Sequence, residues 1–353
     1  MTDSYYPFAG DRHFVRNAWY VAGWSDEFGA TPVARTILGE PLVIYRDSSG
    51  EVRALEGLCP HRQFPLAQAW VEGDCLRCPY HGMRFGPDGR CTEIPSQATI
   101  PEAAHLRAFP VVERWRWVWV WMGDPATADP ALIPDHEAAG LSDANDATPC
   151  SRLEIDARYQ LLNENLLDLT HITFLHQGGA AGVWVEGTDW PDETIETDPD
   201  GRWLRGARTF ALPATDLPPA AGLDGGPAEM ELTMDYRLPG FFVGRQVYRS
   251  TLPGKHNVSA GFINVHFFTP VDAHRTVYYF ATARTFANGD TATTEALLER
   301  FRKVLDEDKF AAEAIEPWLD RPGRRPDFVR RADRAAILGR RMIQRLLDAE
   351  AGA

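Results

Sequence analysis

The stretch "CPHRQFPLAQAWVEGDCLRCPYHGMRF" restricts this chain more than any other part of it. Cys59 and His61 are separated by one residue, Cys78 and His81 by two, and sixteen residues lie between His61 and Cys78. Each short pair can wrap one metal-binding corner, and the intervening segment brings the two corners together. A structural Cys2His2 zinc site is one reading. Zinc fingers, however, usually pair Cys with Cys and His with His through a short helix. Here each loop supplies one Cys and one His, and the loops are rich in Pro and Gly. Cys75 completes "CLRC", which mimics a Cys-x-x-Cys motif. If Cys75 took the place of Cys78, His81 would stand six residues away and the loop would not match. Cys75 therefore reads as a bystander packed as a small hydrophobe, and Cys91 and Cys150 read the same way.

A mixed pair on each loop is what a Rieske [2Fe–2S] cluster requires, with two thiolates on one iron and two neutral imidazoles on the other. The pattern C-x-H-x16-C-x2-H resembles Rieske proteins. High-potential members carry two further cysteines, joined as a disulfide, and a membrane anchor. The corresponding positions here are Gln63 and Tyr80. The resemblance is thus to the low-potential type found in oxygenases and their ferredoxins. A ferredoxin of this kind is a single domain of about 100 residues. This chain has 353, so most of it must do something else.

The formal net charge is −14, which disfavours nucleic acid and anionic membrane as partners. No apolar run is long enough to span a bilayer. The N-terminal "MTDSYYPFAGDRHF" lacks the charged and apolar regions of a secretory signal. Five cysteines, three of them in one short stretch, fit a reducing cytoplasm better than a disulfide framework. Residues 15–125 read as short β-runs broken by turns. In "VVERWRWVWVWMGDP" the four Trp from Trp115 to Trp121 fall on one face of a strand, and Arg114, Arg116, Val118, Val120 and Met122 on the other. A buried face accounts for them better than a ligand platform, given the area Trp buries. The Pro- and Asp-rich connector that follows places a domain boundary near residue 130, giving an all-β unit over 1–130 and a second domain over 131–353. The Pro/Gly-rich segment 213–229 reads as a loop.

The second domain carries its own metal signal in "LLNENLLDLTHITFLH". Asn165, Asp168 and His171 recur at i, i+3 and i+6, so one helix face can hold all three. His176 falls off that direction, and both imidazoles reach one metal only if the helix ends or distorts near Ile172–Leu175. Two His and one carboxylate with open positions form the facial triad of non-haem Fe(II) oxygenases. The carboxylate comes from elsewhere. "TTEALLERFRKVLDEDKFAAEAIEPW" predicts an amphipathic helix from Thr293 or Thr294. Asp308 lies about 20° from Phe301 on its apolar stripe, whereas Asp306, Glu307 and Glu313 lie about 120–140° away on a solvated face. A buried aspartate needs a counter-charge or a metal, which selects Asp308.

The spacing N-x2-D-x2-H-x4-H resembles the mononuclear iron motif of Rieske oxygenases. Across nearly the whole chain, "RNAWYVAG", "CPHR", "CPYHGMRF", "WVWMGDPA", "NLLDLTH", "EDK", "VHFFTP" and "RRMIQRLLDAE" are similar to the vanillate and dicamba O-demethylase group. The resemblance implies an α+β chain, with an N-terminal all-β Rieske domain and a C-terminal helix-grip domain of curved antiparallel sheet. It implies Cys59, His61, Cys78 and His81 on [2Fe–2S], and His171, His176 and Asp308 on Fe(II). It makes Asp168 an electron bridge to His81 of a neighbouring subunit in a homotrimer, and Asn165 a supporting polar residue. His266 is open between substrate contact and a satisfied core His. Electrons would come from NADH through a separate flavin/iron–sulfur reductase or ferredoxin. O2 would be spent on O-demethylation of a small methoxylated aromatic, releasing formaldehyde. Ring hydroxylation, N-demethylation, steroid or alkyl hydroxylation, and a pure electron carrier are the rival readings.

Overall fold

The computed structural model describes residues 6–9, 12–137, 148–176, 190–215, 217 and 221–352. The side chain of Cys150 lies outside the described residues, as do residues 216 and 218–220 of the 213–229 loop. The chain divides into two compact units, Phe14–Ile133 with Thr269–Ala273, and Met1–His13, Pro134–Phe268 and His274–Ala353. No helix among the described residues is long and apolar enough to cross a membrane.

The first unit is built from three antiparallel sheets. Trp117–Trp121 is the middle strand of one, between Trp19–Trp24 and Val111–Arg114. Both of its faces are covered and all five residues are buried. The four-Trp strand expected from the alternation is not continuous. The chain reverses at Trp115, which takes a left-handed φ of 56°, and Trp115 faces Trp24 and Trp117 from the turn. Alternation alone does not register a two-residue turn that itself contains an aromatic. A second sheet has the order Val33–Ile37, Glu40–Arg46, Val52–Glu56, Ala108–Phe109. The third, Trp70–Glu72, Cys75–Arg77, Arg84–Phe85 and Cys91–Glu93, carries the cysteine-rich stretch. Its core includes Val43, Tyr45, Leu55, Leu66, Leu76 and Phe85, and Cys59 and Cys78 belong to the same cluster.

The second unit is a seven-stranded antiparallel sheet in the order Thr148–Ile155, Arg275–Arg284, Ser259–Asp272, Phe241–Ser250, Ala228–Arg237, Trp203–Leu212, Thr194–Thr197. Among the described residues four α-helices accompany it: α1 (Tyr159–Leu167), α2 (Ile172–Leu175), α3 (Thr291–Ile315) and α4 (Arg334–Ala351). Helix α3 starts at Thr291, two to three residues before the expected Thr293 or Thr294, because Asp290 caps it by accepting from the Ala292 N–H. Arg158, fully buried at the start of α1, clasps Glu316 at the end of α3 through Nε and Nη2 at 2.7–3.1 Å. Removing one partner of such a buried pair costs about 3–5 kcal/mol. Arg340 of α4 pairs with Glu164 of α1. These two ion pairs set α1 against α3 and α4, and α1 and α3 lead into the residues that matter most.

Candidate metal centres

In the first unit the two Cys–His loops are built alike. The Cys59 N–H donates to the Phe64 carbonyl, and the Cys59 carbonyl accepts from the Gln63 N–H. The Cys78 N–H donates to the Met83 carbonyl, and the Cys78 carbonyl accepts from the Gly82 N–H. Gln63 and Gly82 occupy the same place in each loop, and both are left-handed, at φ 57° and 75°. Glycine takes that conformation freely, whereas Gln63 holds it at a cost of about 1 kcal/mol or more. The loops bring the four predicted side chains together. Cys59 and Cys78 are buried with their thiols in contact, and His61 Nδ1 lies 3.1 Å from His81 Nδ1 at the surface. Burial pushes the Cys59 thiol up to about 11, so it stays protonated at neutral pH until a bound metal displaces the proton. Tyr80 leans on His81, with ring centroids 4.1 Å apart. Cys75 is set apart by strand alternation, sharing a face with Arg77 and not with the buried Leu76 and Cys78.

In the second unit the expected single helix face does not form. Helix α1 stops at Leu167, and Asp168 leaves helical geometry with φ −125° and ψ 86°. A short 3-10 turn, Leu169–His171, and the one-turn α2 follow, and the helix ends again at His176. The break thus begins at Asp168, earlier than the expected Ile172–Leu175. Its cause is the Asp168 side chain, which accepts from the Thr170 N–H and hydroxyl and restarts the chain as a cap.

This break lets both imidazoles face α3. His176 Nε2 lies 3.2 Å and His171 Nε2 3.5 Å from Asp308 Oδ1. Two adjacent ligands on one octahedral metal with bonds of about 2.1 Å stand about 3 Å apart. The remaining ring nitrogens are used for orientation. His171 Nδ1 donates to the Asp168 carbonyl at 2.6 Å, and His176 Nδ1 donates to Glu307 Oε2 at 2.7 Å. With Nδ1 of each imidazole committed, Nε2 is the atom that faces Asp308 and from which a metal would displace the proton, the arrangement that metal-binding histidines require. Asn165 Nδ2 donates to Asp308 Oδ1 at 2.9 Å. Burial would raise Asp308, but the hydrogen bonds and charge of His171 and His176 hold it well below the ordinary carboxylate range. Burial would lower His176, but Asp308 and Glu307 raise it. With a metal in place of the Nε2 protons, two neutral imidazoles and one ionised carboxylate would suit non-haem Fe(II).

The assignment of Glu307 to a solvated face fails. Asp306 is exposed, but Glu307 is only half exposed and carries His176, and Glu313 pairs with Lys309. A helical wheel registers only the side a helix turns to the sheet, and His176 approaches from the flank. Asp168 touches His171 through its carbonyl, while its carboxylate binds Thr170 and Arg330.

The three donor atoms open onto a cavity with apolar walls, among them Leu166, Met234, Phe280 and Phe301. Its polar lining includes Asn264, His266 and Tyr278. His266 is buried, with Nδ1 2.6 Å from the Tyr278 hydroxyl, which makes it a satisfied core His, and it also lines the cavity. Burial pushes it down to about 3, so it is neutral at physiological pH. Asn264 went unremarked in the sequence, although it alternates with His266 in an otherwise apolar strand.

Comparison with known proteins agrees with a Rieske cluster and a mononuclear iron as the cofactors. Residues 155–349 match the vanillate O-demethylase oxygenase C-terminal domain, and residues 18–110 match the Rieske [2Fe–2S] domain. The chain is 34% identical to the toluene-4-sulfonate monooxygenase system iron–sulfur subunit of Comamonas testosteroni, covering 96% of this chain and 99% of that protein. It is 32% identical to the oxygenase component of dicamba O-demethylase from Stenotrophomonas maltophilia, again over 96% and 99%. The crystal structure of dicamba monooxygenase with non-haem iron and dicamba superposes with a TM-score of 0.78 at 29% identity, covering 97% of this chain and 99% of that one. The chain belongs to the Rieske non-haem iron oxygenases, in the group defined by the vanillate O-demethylase C-terminal domain. It is an oxygenase component whose cofactors are a Rieske [2Fe–2S] cluster and mononuclear iron.

Proposed function

We propose that this chain is the terminal oxygenase of a system that removes a methyl group oxidatively from a small methoxylated aromatic compound. The observation that carries this reading is the cavity, where apolar and aromatic walls meet the face of His171, His176 and Asp308. A substrate there is held by the walls and not by the metal, and its methyl group can be aimed at the reacting face. Cys59, His61, Cys78 and His81 would hold the cluster, and His171, His176 and Asp308 the iron. Iron bound there supplies O2 activation. Asn165 steadies the Asp308 carboxylate, and Glu307 and the Asp168 carbonyl fix the two imidazoles. Placing the thiols inside and the imidazoles at the surface gives electrons an exit through His61 or His81. In a homotrimer, Asp168 would connect His171 with His81 of a neighbouring subunit. A separate flavin/iron–sulfur reductase or ferredoxin would bring the electrons of NADH.

The balance is simple. NADH supplies two electrons, one oxygen atom enters a methyl C–H bond and the other leaves as water. The resulting hemiacetal breaks into a phenol and formaldehyde. Incubation of holoenzyme with NADH, a compatible reductase and methoxylated aromatics is expected to give formaldehyde and the demethylated phenol in equal amounts. Hydroxylated product with the methoxy group intact would reject demethylation. That outcome would favour the second reading, hydroxylation without demethylation, which the likeness to the toluene-4-sulfonate monooxygenase subunit supports.

A further inference from the structure

The Asp168 carboxylate is held at both of its oxygens. Oδ1 accepts from the Thr170 N–H at 3.1 Å and from the Thr170 hydroxyl at 2.6 Å, where the chain restarts after α1. Oδ2 accepts from Nη2 of Arg330, which stands 162 residues further along the chain. Arg330 is itself held from behind. Its N–H donates to Asp333 Oδ2 at 2.6 Å, and the same Nη2 lies 3.3 Å from Asp333 Oδ1, in the turn that leads into α4. The Arg330 side chain is 56% exposed, and an ion pair so open to water adds little to stability, so its part is to fix geometry. Among the described residues Oδ1 has two donors and Oδ2 has one, so the lone pair left for a further donor is on Oδ2. The carbonyl of the same residue accepts from His171 Nδ1. Asp168 thus meets the candidate iron ligand through its backbone and can meet another donor through the oxygen that Arg330 holds.

We propose that Arg330 is a positioning residue for electron transfer: it holds Asp168 Oδ2 where the imidazole N–H of His81 of a neighbouring subunit can donate to its remaining lone pair. A link of this kind works only at hydrogen-bond distance, so a carboxylate free to turn is a poor one. Arg330 uses a single nitrogen and not its guanidinium fork, so a lysine can take its place. This role rests on the reading of Asp168 as the link between the two centres. It is independent of which substrate is oxidised.

The test follows one electron in the absence of O2 and substrate. Holoenzyme oxidised at both centres receives a flash of photoreduced flavin, which gives one electron to the cluster. That electron then reduces the ferric ion to ferrous. The visible spectrum of the cluster and the EPR signal of the ferric ion, in freeze-quenched samples, read the two ends of the transfer. In wild type the oxidised cluster is expected to return as the ferric signal is lost. Arg330→Ala is expected to slow this at least about tenfold, with both metals and the wild-type mass retained. Arg330→Lys is expected to be faster than Arg330→Ala by about threefold or more. Asp168→Asn is expected to be slow, and adding Arg330→Ala to it to slow the transfer no further, because the arginine acts only through the aspartate. The proposal is overturned if Arg330→Ala falls short of that slowing, loses iron or changes mass. It is overturned equally if Arg330→Lys is no faster than Arg330→Ala, or if the double variant is slower than Asp168→Asn alone. A slow Asp168→Asn beside an unaffected Arg330→Ala rejects the role of Arg330 alone. A wild-type rate in Asp168→Asn, or no transfer in wild type, rejects the link itself and the role of Arg330 with it.

Discussion

Asp308→Asn is expected to empty the mononuclear iron site and abolish turnover while the [2Fe–2S] cluster stays in place. Asp308 is buried and its Oδ1 is the atom on which His171 Nε2, His176 Nε2 and Asn165 Nδ2 converge. An amide keeps the volume but removes the only anionic ligand of the triad, so a divalent ion would be left with two neutral donors in a low-dielectric site. The loss of iron affinity should exceed about 100-fold, because changes to residues that merely orient ligands already cost 10–100-fold. Glu307→Ala supplies that lesser case. It removes the acceptor that holds His176 by Nδ1 without touching a ligand atom, and a drop of about 10–100-fold is expected. Iron analysis beside the visible spectrum of the cluster reads both variants. Full iron occupancy in Asp308→Asn would remove it from the ligand set.

Cys78→Ala is expected to abolish the Rieske visible and EPR spectra, and Cys75→Ala to preserve them. Cys78 is buried in the loop that repeats the hydrogen bonds of the Cys59 loop, with its carbonyl and N–H both committed. Without its thiolate one iron has a single protein ligand. Cys75 lies three residues earlier, on the opposite side of the strand Cys75–Arg77 from Leu76. Its loss removes half-buried surface and no ligand. Disappearance of the spectrum in Cys75→Ala would overturn the assignment of that loop.

Side chains that act within one loop or one helix stripe were legible in the sequence. The Cys59–His61 and Cys78–His81 pairs could be read because the spacing within each loop is the geometry. Asp308 could be read because an aspartate on an apolar stripe is unstable without a partner. What depends on contacts between elements was not legible. Glu307 was placed with water because its angle was measured only against its own helix, whereas His176 reaches it from a turn 131 residues away. The break at Asp168 was placed too late, because one side chain capping Thr170 outweighed the helical propensity of the leucines around it. Tyr278 drew no notice because it is an ordinary strand residue until its neighbour on Ser259–Asp272 is known. The antiparallel sheet of the second unit was expected from the resemblance and not from periodicity, and the turn at Trp115 shows where alternation counted through a reversal.

The central claim is that two separate iron centres act on one substrate, with Asp168 between them. Single turnover tests this most directly. The enzyme is reduced at both centres, freed of reductant, and mixed with O2 and a methoxylated aromatic substrate. Wild type is expected to release formaldehyde in proportion to its mononuclear iron, while the signal of the reduced cluster disappears in step. Asp168→Asn, whose Oδ1 can still cap Thr170, is expected to keep both metals, hold its cluster reduced and release no formaldehyde. A wild-type burst that leaves the cluster reduced, or an Asp168→Asn variant that matches wild type, would contradict the account.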